Sequence, residues 1–127
     1  MKPKKTVPTD QELEILKVVW QHGQATVREV YRDLSAQRKI AYTTVLTMMG
    51  ILEQKGHLKK TAGDRAYIYS PTKSQQHVVR SMVNEFVHRV FNGSSRPLLV
   101  HLVEDPEIRP DELAAIEKML KDRRQKR

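Results

Sequence analysis

Cysteine is absent from the 127 residues. That excludes a disulfide scaffold, a thiolate metal site and a cysteine nucleophile together. It also suits a reducing compartment, so the expected location is cytoplasmic. No apolar run approaches the ~18 residues of a membrane span. Met1-Lys2-Pro3-Lys4-Lys5 is basic, but no apolar segment follows it, and no signal peptide is expected. No serine lies in a nucleophile-elbow setting, and no glycine-rich phosphate loop occurs. No pair of carboxylates falls where a cleft would join them. The expectation is therefore neither an enzyme nor a cofactor protein. Internal repeats and low-complexity tracts are also lacking.

What the chain has in excess is positive charge. Lys and Arg number 23 against 15 Asp and Glu, for a formal net charge of +8. A balance of that sign favours a polyanionic partner, either nucleic acid or an anionic surface. Hydrophobic residues at 39% and charged residues at 30% fit one soluble fold of modest core.

The polar, proline-containing stretch 1–8 reads as a flexible lead. Thr9-Asp10-Gln11-Glu12 is a capping box, in which Thr9 and Glu12 exchange side-chain to backbone hydrogen bonds. Leu13, Leu16 and Trp20 follow at helical spacing, and Gly23 stands where a left-handed stop is wanted. A second box, Thr26-Val27-Arg28-Glu29, opens a short helix with Val27, Val30, Tyr31 and Leu34 on one stripe. A third helix is expected from Tyr42 to Lys55, with Val45, Met49 and Leu52 inward. Two short helices with a short connection read as helix-turn-helix. After Gly56 the period changes to two. His57–Ala62 and Arg65–Ser70, around Gly63-Asp64, read as a β-hairpin closed by Pro71.

Thr72 to Gln75 repeats the capping-box pattern and opens a long helix to about Phe91. A short apolar helix over Pro97–Val103 and a last helix from Asp111 to about Lys121 follow, with a frayed basic tail beyond. The fold class is mainly α (α+β): a winged helix-turn-helix domain over 9–71, then a three-helix domain over 72–122, then the tail 123–127. The later helices carry more apolar face than they can cover for one another. A two-fold partner supplying the same surface would bury it. The expected dimer interface is Val79, Val83, Phe86 and Val90 on the long helix, Leu98, Leu99 and Leu102 on the short one, and Leu113, Ile116 and Leu120 on the last.

With Val45, Met49 and Leu52 inward, Tyr42, Thr43, Thr44 and Thr47 are left on the outer face of the third helix. Small hydroxyl side chains at a helix N-terminus can approach base edges and phosphates in a major groove. Long acidic side chains are missing from this face. Lys59, Lys60 and Arg65 on the hairpin, with Arg28 and Lys39 nearby, are candidates to hold phosphate, which positions a protein without specifying sequence. The expected partner is double-stranded DNA. A winged-helix module that binds protein instead of DNA is the rival reading, because the fold serves both.

The block Ala41-Tyr42-Thr43-Thr44-Val45, Thr47-Met48, Leu52 and Lys55-Gly56 resembles the BlaI/MecI/CopY family of penicillinase repressors. Arg65-Ala66-Tyr67, Tyr69-Ser70-Pro71 and Phe91-Asn92-Gly93 extend the match across residues 9 to 122. The resemblance implies a winged-helix domain, a helical dimerisation domain, and a homodimer that blocks transcription from a palindromic operator. It implies genes of the β-lactam response or related ones. It also implies a membrane sensor protease as a partner. The bond that such a protease cuts in penicillinase repressors corresponds here to His101-Leu102. Copper-sensing members use C-terminal cysteines, which this chain lacks. Many relatives carry a polar residue just before the leucine that ends the recognition helix. Here Gly50-Ile51 precede Leu52, and a helical glycine costs on the order of 1 kcal/mol.

Five histidines (His22, His57, His77, His88 and His101) raise a metal reading. Glu85-x-x-His88 puts two ligand types on one helix face, but carboxylate-bridged sites need several such contributions. No metal is expected.

Overall fold

The computed structural model describes residues 7–126. The order is α1 (Asp10–His22), α2 (Val27–Ser35), α3 (Tyr42–Gln54), β1 (Leu58–Ala62), β2 (Tyr67–Pro71), α4 (Gln75–Phe91), α5 (Arg96–Glu104) and α6 (Pro110–Gln125). The proposed flexible lead falls mostly outside the described residues. Its last two members are docked: Pro8 is buried, and the Val7 carbonyl accepts from Lys55 Nζ at 3.4 Å.

The first two of the three helix starts that read as capping boxes form as such. Thr9 Oγ1 accepts from the Glu12 N–H at 3.2 Å while Glu12 Oε1 accepts from the Thr9 N–H at 3.1 Å. Thr26 and Glu29 repeat the exchange at 3.2 and 2.9 Å. Gly23 ends α1 at φ 87°, a conformation that a Cβ disfavours. The third apparent box does not form. Ser74 accepts the His77 N–H at 3.1 Å at the start of α4, and the Thr72 hydroxyl donates to the Gly56 carbonyl instead. The requirement to close the hairpin onto the end of α3 takes Thr72 away from the helix.

The two strands pair antiparallel, with Leu58 opposite Pro71, Lys60 opposite Tyr69 and Ala62 opposite Tyr67. The connection is longer than Gly63-Asp64 alone and spans Gly63 to Ala66. It is closed by the Gly63 N–H donating to the Ala66 carbonyl at 3.0 Å. A Cβ on Gly63 would lie 2.5 Å from that same carbonyl oxygen, so the loop requires glycine there. On the other edge, Ala25 and Tyr69 exchange backbone hydrogen bonds of 2.9 and 2.8 Å. The α1–α2 loop thereby extends the hairpin by one bridge and anchors it to the helices.

The chain divides into two compact units between Glu85 and Phe86, inside α4. The first contains the helix-turn-helix, the hairpin and the first turns of α4. Its core joins Ile15, Leu16 and Val19 of α1, Val30 and Leu34 of α2, and Val45, Met49 and Leu52 of α3. Leu58 and Tyr69 close it from the hairpin, and Val78 of α4 belongs to it as well. The division thus falls later than Pro71, because Val78 and Met82 pack with the winged helix.

The second unit holds the end of α4, α5 and α6. Phe91 packs edge-on to Phe86 at 5.9 Å and tilts over His101 at 6.2 Å. Asn92 at φ 55° and Gly93 at φ 91° stop α4, with the Gly93 N–H returning to the Val87 carbonyl at 3.1 Å. Neither α5 nor α6 contains a buried residue. α6 continues through Arg123 and Arg124 to Gln125, so most of the basic tail is helical. Its carbonyl end is the favourable place for those two cations.

Candidate nucleic-acid interface

The structure sorts the surface of α3 into three strips. Val45, Met49 and Leu52 are fully buried. Thr43, Thr44 and Thr47 are all exposed on the opposite side. Tyr42 and Leu46, four residues apart, form a third strip between the threonines and the hairpin. Tyr42 is held by an edge-on contact with Tyr31 at 5.5 Å between ring centroids.

The start of α3 differs from those of α1 and α2. Its cap residue, Ala41, provides no side-chain hydrogen bond, and the first turn holds no acidic residue. The positive end of the helix is thus presented beside three hydroxyl groups, an arrangement suited to phosphate oxygen and base edges.

A cleft lies between α3 and the hairpin. Its lining includes Arg28 from α2, Tyr42 and Leu46 from α3, and Arg65, Tyr67 and Tyr69 from the hairpin. Three of the anticipated binding residues, Arg28, Tyr42 and Arg65, are therefore brought to one place. Leu46 and Tyr67 share it and were not anticipated. A signal for Leu46 existed: the core stripe 45, 49, 52 leaves position 46 outside, so an apolar residue there is not part of the buried core of α3.

The basic residues of β1 do not act as one group. Neighbouring side chains on a strand point to opposite faces. Lys60 shares its face with Tyr67 and Tyr69, and its Nζ lies 4.4 Å from the Tyr67 ring centroid. It also stands 3.8 Å from Glu53 Oε1 at the end of α3. Lys59 projects from the other face and is exposed, as is Lys39 in the α2–α3 connection. Arg38, next to Lys39, is drawn to Glu14 of α1 at 2.9 Å.

Among the described residues, no cluster of three or more His, Asp or Glu side chains is placed to hold a metal ion. No described helix is long and apolar enough to cross a membrane.

A helix-turn-helix whose second helix presents hydroxyls, beside a two-stranded wing and an arginine-bearing cleft, defines a winged-helix DNA-binding protein. The family model described as Penicillinase repressor matches residues 8–122. The chain belongs to that family of transcriptional regulators and is a DNA-binding transcriptional repressor. It is 34% identical over 113 residues to the Transcriptional regulator BlaI of Mycobacterium tuberculosis, covering 87% of this chain and 80% of that protein. It is 25% identical over 119 residues to the Penicillinase repressor of Bacillus licheniformis, covering 94% and 93%. The solution structure of the DNA binding domain of the repressor BlaI aligns with a TM-score of 0.52 at 31% identity. That alignment covers 58% of this chain and 90% of that one. The oxidized form of MarR from E. coli aligns at 0.51 and 18% identity over 91% of this chain and 74% of its own, a likeness of fold.

Proposed function

We propose that this repressor is a cytoplasmic homodimer whose two α3 helices enter successive major grooves of a near-palindromic operator. The observation that carries the reading is the outer face of α3, where Thr43, Thr44 and Thr47 stand exposed at an uncapped, acid-free helix start. Tyr42 joins the reading face. Arg28, Lys39, Lys59, Lys60 and Arg65 contribute phosphate contacts, with Arg28 and Arg65 the best placed because they share the cleft beside α3.

The dimer reading rests on apolar surface. Val79, Val83, Phe86 and Val90 on α4, Leu99 and Leu102 on α5, and Ile116 and Leu120 on α6 are all exposed in the single chain. Leu98 and Leu113 are half-buried. A second copy offering the same residues would cover them, and two-fold symmetry in the protein calls for two-fold symmetry in the site. The names of the relatives support genes of the β-lactam response or related ones as targets. Release by a membrane sensor protease would act at His101-Leu102, within α5. Leu102 belongs to the proposed dimer surface, so a cut there would also disrupt the contact that holds the two copies together.

The test is selection of purified protein on a random-sequence DNA library, with the recovered sites titrated at several salt concentrations. An enriched inverted repeat with steep salt dependence is the expected result. Salt-sensitive binding without enrichment would mean a nonspecific DNA binder. No binding at all would favour the protein-interaction module.

A further inference from the structure

We propose that Leu46 determines operator specificity by packing against the C5-methyl group of a thymine. The inference rests on the proposed operator binding and names a contact within it. Leu46 is 46% exposed on the outward side of α3, although the core beneath is completed by Val45, Met49 and Leu52. The buried core is complete without it, and nearly half of its surface stays open beside the cleft. The side chain stands between the hydroxyl strip and the cleft, one helical turn from Tyr42 and adjacent to Thr47.

The chemistry of the surroundings selects the partner. The cleft beside Leu46 combines apolar and aromatic walls with the guanidinium-bearing residues Arg28 and Arg65. Cations flanking an apolar contact suit a polyanion that displays an apolar group of its own. In the major groove, thymine alone among the bases presents a methyl group. Leucine can neither donate nor accept a hydrogen bond, so any preference it imposes comes from apolar contact and shape. The neighbouring threonine hydroxyls, by contrast, can bond to several base edges. Leu46 thus supplies discrimination that those hydroxyls leave open.

The experiment uses the full chain and the sites recovered by selection. Each thymine of one half-site is replaced in turn by deoxyuridine, which deletes the methyl group and keeps the pairing. Affinities are measured for the native protein and for Leu46→Ala, whose folding is checked by circular dichroism. At one thymine, loss of the methyl should weaken the native protein about three- to fivefold, the scale of one buried methyl group. Leu46→Ala should bind the thymine and deoxyuridine versions of that site alike. If the native protein prefers a selected site but no deoxyuridine substitution distinguishes it from Leu46→Ala, the inference is overturned and operator binding stands. If no site is enriched, operator binding fails and the inference with it.

Discussion

Lys55 Nζ lies 2.8 Å from Glu12 Oε1, joining the residue that caps the end of α3 to the capping box of α1. The same carboxylate oxygen accepts the Thr9 N–H. One buried group therefore closes a helix start and also fixes the far end of α3. Glu12 is only 5% exposed, so little water is at hand to replace this partner. Removing one member of a buried pair leaves the other unpaired, which is costly. Lys55 retains some access to water, which moderates the loss. Lys55→Met should lower the unfolding free energy by about 2–3 kcal/mol, read from urea denaturation. A loss under about 0.5 kcal/mol would place the pair with ordinary surface salt bridges.

Gly50 lies inside α3, and a Cβ built on it meets nothing within 4 Å. The usual cost of a helical glycine is thus not offset by any close approach within the chain. Gly50→Ala should raise stability by about 0.5–1 kcal/mol, seen as a Tm increase of a few degrees. Lower stability would contradict this account of the site. If stability rises while operator affinity falls, the bare position serves a close approach of DNA to α3.

Local signals made much of the fold legible. Thr9 with Glu12 and Thr26 with Glu29 lie three residues apart, and their bonds depend on little else. The buried stripe of α3 follows from helical spacing. Thr72 shows the limit of that reasoning. It stands in the right pattern for a cap, yet its hydroxyl is taken by the carbonyl of Gly56, distant in sequence. The Ala25–Tyr69 bridge and the Lys55–Glu12 pair were hidden for the same reason. The candidate site was legible residue by residue, through Thr43, Thr44 and Thr47 on one helix and Arg28 and Arg65 elsewhere, but the meeting of those arginines with Leu46 and Tyr67 was not. Its other wall required the hairpin to fold back, which brings Arg65 and Tyr67 to the same cleft as Arg28 and Leu46.

Thr44 and Thr47 separate sequence reading from general affinity. Both are exposed on α3 and neither is needed by the core. Thr44→Ala or Thr47→Ala should cost about 1–3 kcal/mol on the selected operator and less on random DNA. Arg65→Ala should weaken both kinds of DNA more evenly and flatten the salt dependence by about one charge. Equal losses on operator and random DNA for the threonine variants, measured by fluorescence anisotropy, would show that these hydroxyls position the protein without reading bases.

Phe86 tests the proposed dimer surface most directly. Its ring is 38% exposed, although it packs edge-on to Phe91 at 5.9 Å and has the Arg89 guanidinium 5.8 Å from its centroid. In the proposed dimer a carboxylate at this position would be drawn from water into an apolar surface, with only Arg89 of its own helix near it, a cost on the order of a few kcal/mol. Phe86→Asp should therefore yield monomers in sedimentation equilibrium. Each monomer keeps an α3 able to enter one groove, so half-site binding should survive at low affinity. Binding to the full inverted repeat should fall by about a hundredfold or more, because the second half-site no longer benefits from the tether to the first. A Phe86→Asp protein that still sediments as a stable dimer would move the interface away from this face of α4.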